Sequence, residues 1–128
     1  MILDTSALLA VFFDEPERDA FLEKIGAAHI VGVGSPTLAE TAIVIGARVG
    51  ADGVRQARRL VEQADVVVVP FDAAHWEVAS DAWLRFGRGR HAASLNLGDC
   101  LTYATARLAG RPLLFKGDDF ALTDLEPA

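Results

Sequence analysis

The fold is decided by the first twelve residues, Met1-Ile2-Leu3-Asp4-Thr5-Ser6-Ala7-Leu8-Leu9-Ala10-Val11-Phe12. Met1–Leu3 is an apolar run of strand length. It gives way at once to a helical pattern through Ala7–Phe12, with Asp4, a good N-cap residue, at the junction. The same handover recurs along the chain. Ile30–Val33, Val66–Val69 and Leu113–Phe115 are further short apolar runs that read as buried strands, and helical patterns lie between them. Val54, Ala57, Leu60, Val61 and Ala64 form one apolar stripe opposite Arg55, Gln56, Arg58, Arg59, Glu62 and Gln63. Trp76, Ala79, Trp83 and Phe86 form another, as do Leu97, Leu101, Ala104 and Leu108, and all three stripes are expected in the core. Ser35-Pro36 reads as an N-cap with proline in the first turn, while Gly50, Gly53, Gly87 and Gly110 sit where helices should end or the chain turn. Strands separated by helices require crossover connections. The fold class is therefore α/β, with a mostly parallel central sheet flanked by helices on both faces. With 128 residues and no repeat, linker or low-complexity tract, residues 1–128 are expected to form a single domain.

Composition narrows the function. A hydrophobic fraction of 52% excludes disorder, and no window approaches the ~20 consecutive apolar residues of a membrane span. The start of the chain lacks the basic region and long apolar stretch of a secretory signal, and the lone Cys100 cannot form an internal disulfide. A cytoplasmic location is the expectation. The net charge of −6 argues at first against a nucleic-acid partner, but it averages two unlike regions. From Ala82 to Gly117 six basic residues face only Asp99, a net of +5, and the remainder carries −11.

In open α/β sheets ligands bind beyond the carboxyl ends of the strands, and acidic residues stand at these handovers. Asp4 follows the first run, Glu40 lies just inside the helix beginning near Pro36, Asp99 opens the helix after Asn96, and Asp118-Asp119 follow the last run. Each has a local explanation. Asp4 can cap a helix, Thr37/Glu40 and Asn96/Asp99 have capping-box spacing, and Gly117-Asp118 suits a turn. Caps and turns do not explain why all the sites should be acidic together. Gathered carboxylates repel, and a divalent cation relieves that repulsion. Oxygen ligands suit Mg²⁺ or Mn²⁺, whereas His29, His75 and His91 lack the close spacing of a zinc site. A carboxylate-held metal centre is common equipment for phosphodiester cleavage by activated water. The acid-free segment Arg85-Phe86-Gly87-Arg88-Gly89-Arg90-His91, with Lys116 further on, offers cations for phosphate contact. Thr5 and Ser6 are placed to orient Asp4 or a bound water. No Ser/His/Asp triad, GxGxxG or Walker loop is present.

Taken together, these segments resemble the PIN-domain ribonucleases, specifically the VapC-type toxins of toxin–antitoxin pairs. Met1–Ala10 is similar to the family's first strand and helix, Pro36-Thr37-Leu38-Ala39-Glu40 to the segment with its first helical acid, Leu97–Ala104 to its Asp-bearing helix, and Pro112–Phe120 to its closing strand and loop. The resemblance implies Mg²⁺- or Mn²⁺-dependent endonucleolytic cleavage of RNA, a homodimer and a VapB-type antitoxin as partner. It carries acidic roles onto Asp4, Glu40 and Asp99, with Asp4 and Asp99 as direct metal ligands. Asp118 is the first choice for the fourth acid and Asp119 the alternative. Arg85, Arg88, Arg90 and Lys116 are the candidate RNA contacts. Two other classes compete: a receiver-like phosphoacceptor module, in which Lys116 would be the late lysine, and a catalytically silent α/β binding module.

Overall fold

In the computed structural model, which describes all 128 residues, Ile2 and Leu3 make up β1 (Ile2–Leu3) and both are buried. Successive strand side chains point to opposite faces, so each joins a different core. Ile2 packs with Leu113 among Ala82, Phe86, Leu95, Tyr103 and Ala104, while Leu3 packs with Leu114 among Ala7, Ala10, Phe21 and Val31. Helices therefore cover both faces. The elements follow as α1 (Thr5–Phe12), α2 (Arg18–Ala27), β2 (Gly32–Gly34), α3 (Ser35–Gln63), β3 (Val67–Val69), α4 (Ala73–Phe86), α5 (Leu97–Ala109) and β4 (Leu113–Leu114), with a closing 3₁₀ turn at Phe120–Leu122. The four strands form one all-parallel sheet in the order β3-β2-β1-β4. Leu3 is level with Val33 and Leu114, which brings the carboxyl ends of β2, β1 and β4 to one edge.

Close packing fixes what stands at that edge. A Cβ on Gly34 would lie 2.8 Å from Thr105 Oγ1, so α5 rests directly on the end of β2. Thr37 of α3 and Thr102 of α5, both buried, share a hydrogen bond of 3.0 Å between their hydroxyls. That bond satisfies two polar groups that would otherwise be costly to bury. It also shows that Thr37 makes no capping box with Glu40. Gly34, not Ser35, is the N-cap residue of α3, with proline in the first turn, and Glu40 falls in the helix's second turn.

Several core expectations are corrected. Val67 and Val68 are 52% and 47% exposed, because β3 is an edge strand rather than a buried one. On α4 the buried stripe is His75, Ala79, Ala82 and Phe86, which leaves Trp76 and Trp83 outside. The alanines let α4 approach α5 closely, and a tryptophan at the contact would hold them apart. Leu60, Leu97 and Leu108 are exposed as well. Gly87 and Gly110 do cap α4 and α5, and Gly50 breaks α3 at φ 76°, ψ −170°. Gly53 instead lies within the helix, where a Cβ would strike Val49.

Candidate active site

Asp4 is the first residue beyond β1 and caps α1, its carboxylate Oδ2 accepting from the Ser6 amide at 2.9 Å and the Ser6 hydroxyl at 2.6 Å. Its main-chain N–H donates to Leu114 O, which locks it between β1 and β4. The group is 5% exposed. Thr5, one residue on, turns its hydroxyl to a different carboxylate and donates to Glu40 Oε2 at 2.8 Å. Glu40 also lies against the first turn of α5, where a Cβ on Gly98 would sit 2.6 Å and 2.7 Å from its two oxygens. Glycine at 98 thus leaves a cradle for the Glu40 carboxylate. The two hydroxyls have separate tasks: Ser6 holds Asp4 and Thr5 holds Glu40.

Asp99 follows Gly98 and closes a reciprocal cap with Asn96. Its Oδ2 accepts from the Asn96 amide at 2.8 Å, and its own amide donates to Asn96 Oδ1 at 2.9 Å. Burial pushes the Asp99 carboxyl above the ordinary carboxylate range against the lowering effect of the Asn96 hydrogen bond, and the charges of Asp4, Asp119 and Glu40 push it further. The four acids are therefore electrostatic neighbours. Among the paired aspartates it is Asp119, not Asp118, whose charge reaches Asp99. Cys100 lies beside it with its thiol pushed up to about 11, chiefly by burial, which keeps it a neutral core group.

The basic residues divide into two groups. Arg85 pairs with Asp124 at 3.0 Å and lies over the Phe86 ring, Arg107 approaches the same Asp124 at 3.9 Å, and buried Tyr103 donates its hydroxyl to it at 2.6 Å. Asp124 thereby ties the end of the chain to α4 and α5. Lys116 pairs with Glu15 and Glu17. Arg88 has no carboxylate partner, and Arg90 stacks 4.3 Å over exposed Trp83. The positive charge of the 82–117 segment is thus partly neutralised from outside it. Asp124, Glu15 and Glu17 escaped the sequence reading because they lie 39, 101 and 99 residues from Arg85 and Lys116, where no local pattern reaches.

A PIN-domain family model matches residues 1–125. The chain belongs to the PIN-domain family. Within it, Ribonuclease VapC30 of Mycobacterium tuberculosis is 42% identical over 125 residues, covering 98% of this chain and 95% of that protein. The crystal structure of M. tuberculosis VapC20, described as a sarcin–ricin loop cleaving toxin, superposes with a TM-score of 0.81 at 17% identity, covering 99% of this chain and 97% of that one. VapBC2 from Rickettsia felis, solved bound to a DNA fragment from its promoter, superposes with a TM-score of 0.76 at 12% identity over 99% and 96% of the two chains. This PIN domain is a VapC-type toxin endoribonuclease, of a class that depends on divalent metal, and neither the receiver nor the silent-module alternative is favoured.

The residues of this PIN domain fit a divalent ion. The donors are all oxygens, as hard cations prefer, and the mutual repulsion registered at Asp99 is what a cation relieves. No group of three or more His, Cys, Asp or Glu side chains is gathered closely enough to hold a metal ion on protein ligands alone. A divalent ion here would rest on one or two carboxylates, as Mg²⁺ commonly does, keeping its other positions for water and phosphate. No helix is long and apolar enough to cross a membrane.

Proposed function

We propose that this VapC-type ribonuclease works with Mg²⁺, or Mn²⁺ in its place, held by Asp4 and Asp99, and cuts RNA phosphodiesters endonucleolytically in the cytoplasm. The observation that carries the reading is that Asp4, Glu40 and Asp119 all stand close enough for their charges to raise the Asp99 carboxyl, at the edge where β1, β2 and β4 end. A bound divalent ion supplies activation of the attacking water and stabilisation of charge on the scissile phosphate. The chain's own residues supply the geometry. Ser6 fixes Asp4, Asn96 fixes Asp99, and Thr5 with the Gly98 cradle fixes Glu40. Glu40 and the fourth acid complete the cluster directly or through bound water. Asp118 was the first choice from sequence; its neighbour's charge at Asp99 supports Asp119 in that place. Arg88 and Arg90, free of carboxylate partners, are the better candidates for RNA phosphate, while Arg85 acts as a strut to Asp124.

A VapB-type antitoxin is the proposed partner. An apolar groove of 520 Å³ between α1, α2 and α3, lined by Leu8, Val11, Leu22, Ile25, Ala42 and Val61, has the character that accepts one face of an amphipathic helix. The toxin itself is proposed to act as a homodimer.

Asp4→Asn and Asp99→Asn are each expected to abolish RNA cleavage and growth inhibition while leaving the far-UV circular dichroism unchanged. Full cleavage by both variants, or cleavage that survives excess EDTA, overturns the mechanism. Mapping RNA ends after brief induction in a host cell names the substrate.

A further inference from the structure

Lys116 follows β4 at the active-site edge, yet its ammonium is committed elsewhere: it stands 2.7 Å from Glu15 and 2.9 Å from Glu17, in the connection between α1 and α2. The three groups reinforce one another, the two glutamates raising the Lys116 pKa and Lys116 lowering that of Glu17. A single exposed ion pair is worth little, but here one ammonium serves two carboxylates, and all three side chains are well under half exposed. The main chain of Lys116 does something different. Its N–H donates to Ser6 Oγ at 2.9 Å, and the Ser6 hydroxyl donates to Asp4 Oδ2 at 2.6 Å. A serine hydroxyl has one proton, and an amide can only donate. The direction of the chain is therefore fixed: Lys116 N–H to Ser6 oxygen, Ser6 proton to Asp4 carboxylate.

We propose that Lys116 is a positioning residue, whose ion triad with Glu15 and Glu17 pins the segment after β4 so that its amide, through Ser6, holds the Asp4 carboxylate in its metal-binding orientation. Residues 115–119 belong to no helix or strand, and Gly117 turns the chain immediately afterwards at φ 96°. The amide bond and the triad are therefore two independent ties between this segment and the α1 region. The same segment carries Asp118 and Asp119, so loosening it disturbs two parts of the acidic cluster together. The inference rests on the reading of Asp4 as a metal ligand.

The test is Mn²⁺ binding to the full-length chain by titration calorimetry, with fold followed by circular dichroism. Lys116→Met, the double variant Glu15→Gln/Glu17→Gln, and Ser6→Ala are each expected to weaken Mn²⁺ about tenfold, the usual effect of removing a group that orients a metal ligand. Lys116→Arg is expected to restore most of the affinity, since a guanidinium can bridge two carboxylates. Asp4→Asn is the control: if it leaves Mn²⁺ affinity unchanged, the metal reading of Asp4 itself falls. If Asp4→Asn abolishes binding while Lys116→Met and Ser6→Ala bind Mn²⁺ as the wild type does, the positioning role alone is overturned. A loss of RNA affinity in Lys116→Met, with Mn²⁺ affinity intact and the double glutamine variant normal, overturns it in favour of direct phosphate contact.

Discussion

Asp99 helps cap α5, feels the charge of three other carboxylates and, in the proposed function, binds metal, and these tasks conflict. Its raised pKa, caused first by burial and then by Asp4, Asp119 and Glu40, means that ionisation is less favourable in the folded chain than in the unfolded one. The sign follows from linkage. As pH rises through that raised value the folded state alone carries the penalty, so stability is lost on going to neutral pH without metal. Asp99→Asn keeps an acceptor for the Asn96 amide and removes the charge. We expect its metal-free thermal midpoint to exceed that of the wild type at neutral pH, with the difference shrinking on acidification, while Mn²⁺ binding is lost. Calorimetry in EDTA across that pH range checks this, and a lower midpoint for Asp99→Asn at neutral pH contradicts it. Asp4, Glu40 and Asp99 could be found from sequence because each lies close to a strand or helix terminus that local patterning reveals. Asp118 and Asp119 are set apart only by the loop's path, which no periodicity encodes.

At the level of elements, the first turn of α5 is built around what Gly98 lacks. Gly98→Ala would thrust a methyl group to within 2.6 Å of the Glu40 carboxylate, and the end of that flexible side chain can move aside. The expected outcome is a folded protein with weakened Mn²⁺ binding and slowed cleavage, separable by calorimetry and a single-turnover assay. Unchanged metal affinity would show that Glu40's place against α5 is immaterial. The break in α3 is different. Gly50 holds a conformation essentially reserved for glycine, so Gly50→Ala should cost about 1–3 kcal/mol in urea denaturation without touching the carboxylates. The strand-helix order, the break near Gly50 and the caps at Gly87 and Gly110 were legible because they rest on local propensity. The misplaced stripe on α4 was not. Trp76 and Ala79 fit a helical stripe as well as His75 and Ala79 do, and only the close approach of α5 selects the alanine-bearing face.

The whole molecule shows two apolar surfaces and a redistributed charge. Apart from the groove beside α1, exposed Trp76, Trp83, Leu84 and Leu97 line a second apolar hollow between α4 and α5. Glu77 and Asp81 are exposed on the same helix, α4, and neither has an ion-pair partner within the chain. An exposed apolar patch of this kind suits the proposed two-fold pairing with a second copy, in which each patch would cover the other. Light scattering should find a dimer for the wild type and a monomer for Trp76→Glu/Leu84→Glu; a monomeric wild type at tens of micromolar counts against the pairing. The sequence exposed the charge asymmetry but hid its cancellation, because Asp124, Glu15 and Glu17 reach Arg85 and Lys116 only through the tertiary fold.

The helix caps at the site also bear on which ion it can hold. Asp4 already commits Oδ2 to Ser6, and Asp99 commits Oδ2 to Asn96. Each aspartate keeps one oxygen that accepts no hydrogen bond, and a metal taking that oxygen would leave the cap intact. Calcium, which draws on six to eight oxygens and often takes a carboxylate through both, would have to share an oxygen with a cap to do so. A small ion content with one oxygen from each aspartate and a shell of water would not. On the proposed reading, the hydrogen bonds that begin two helices are left intact by a small ion and contested by one that grips both oxygens.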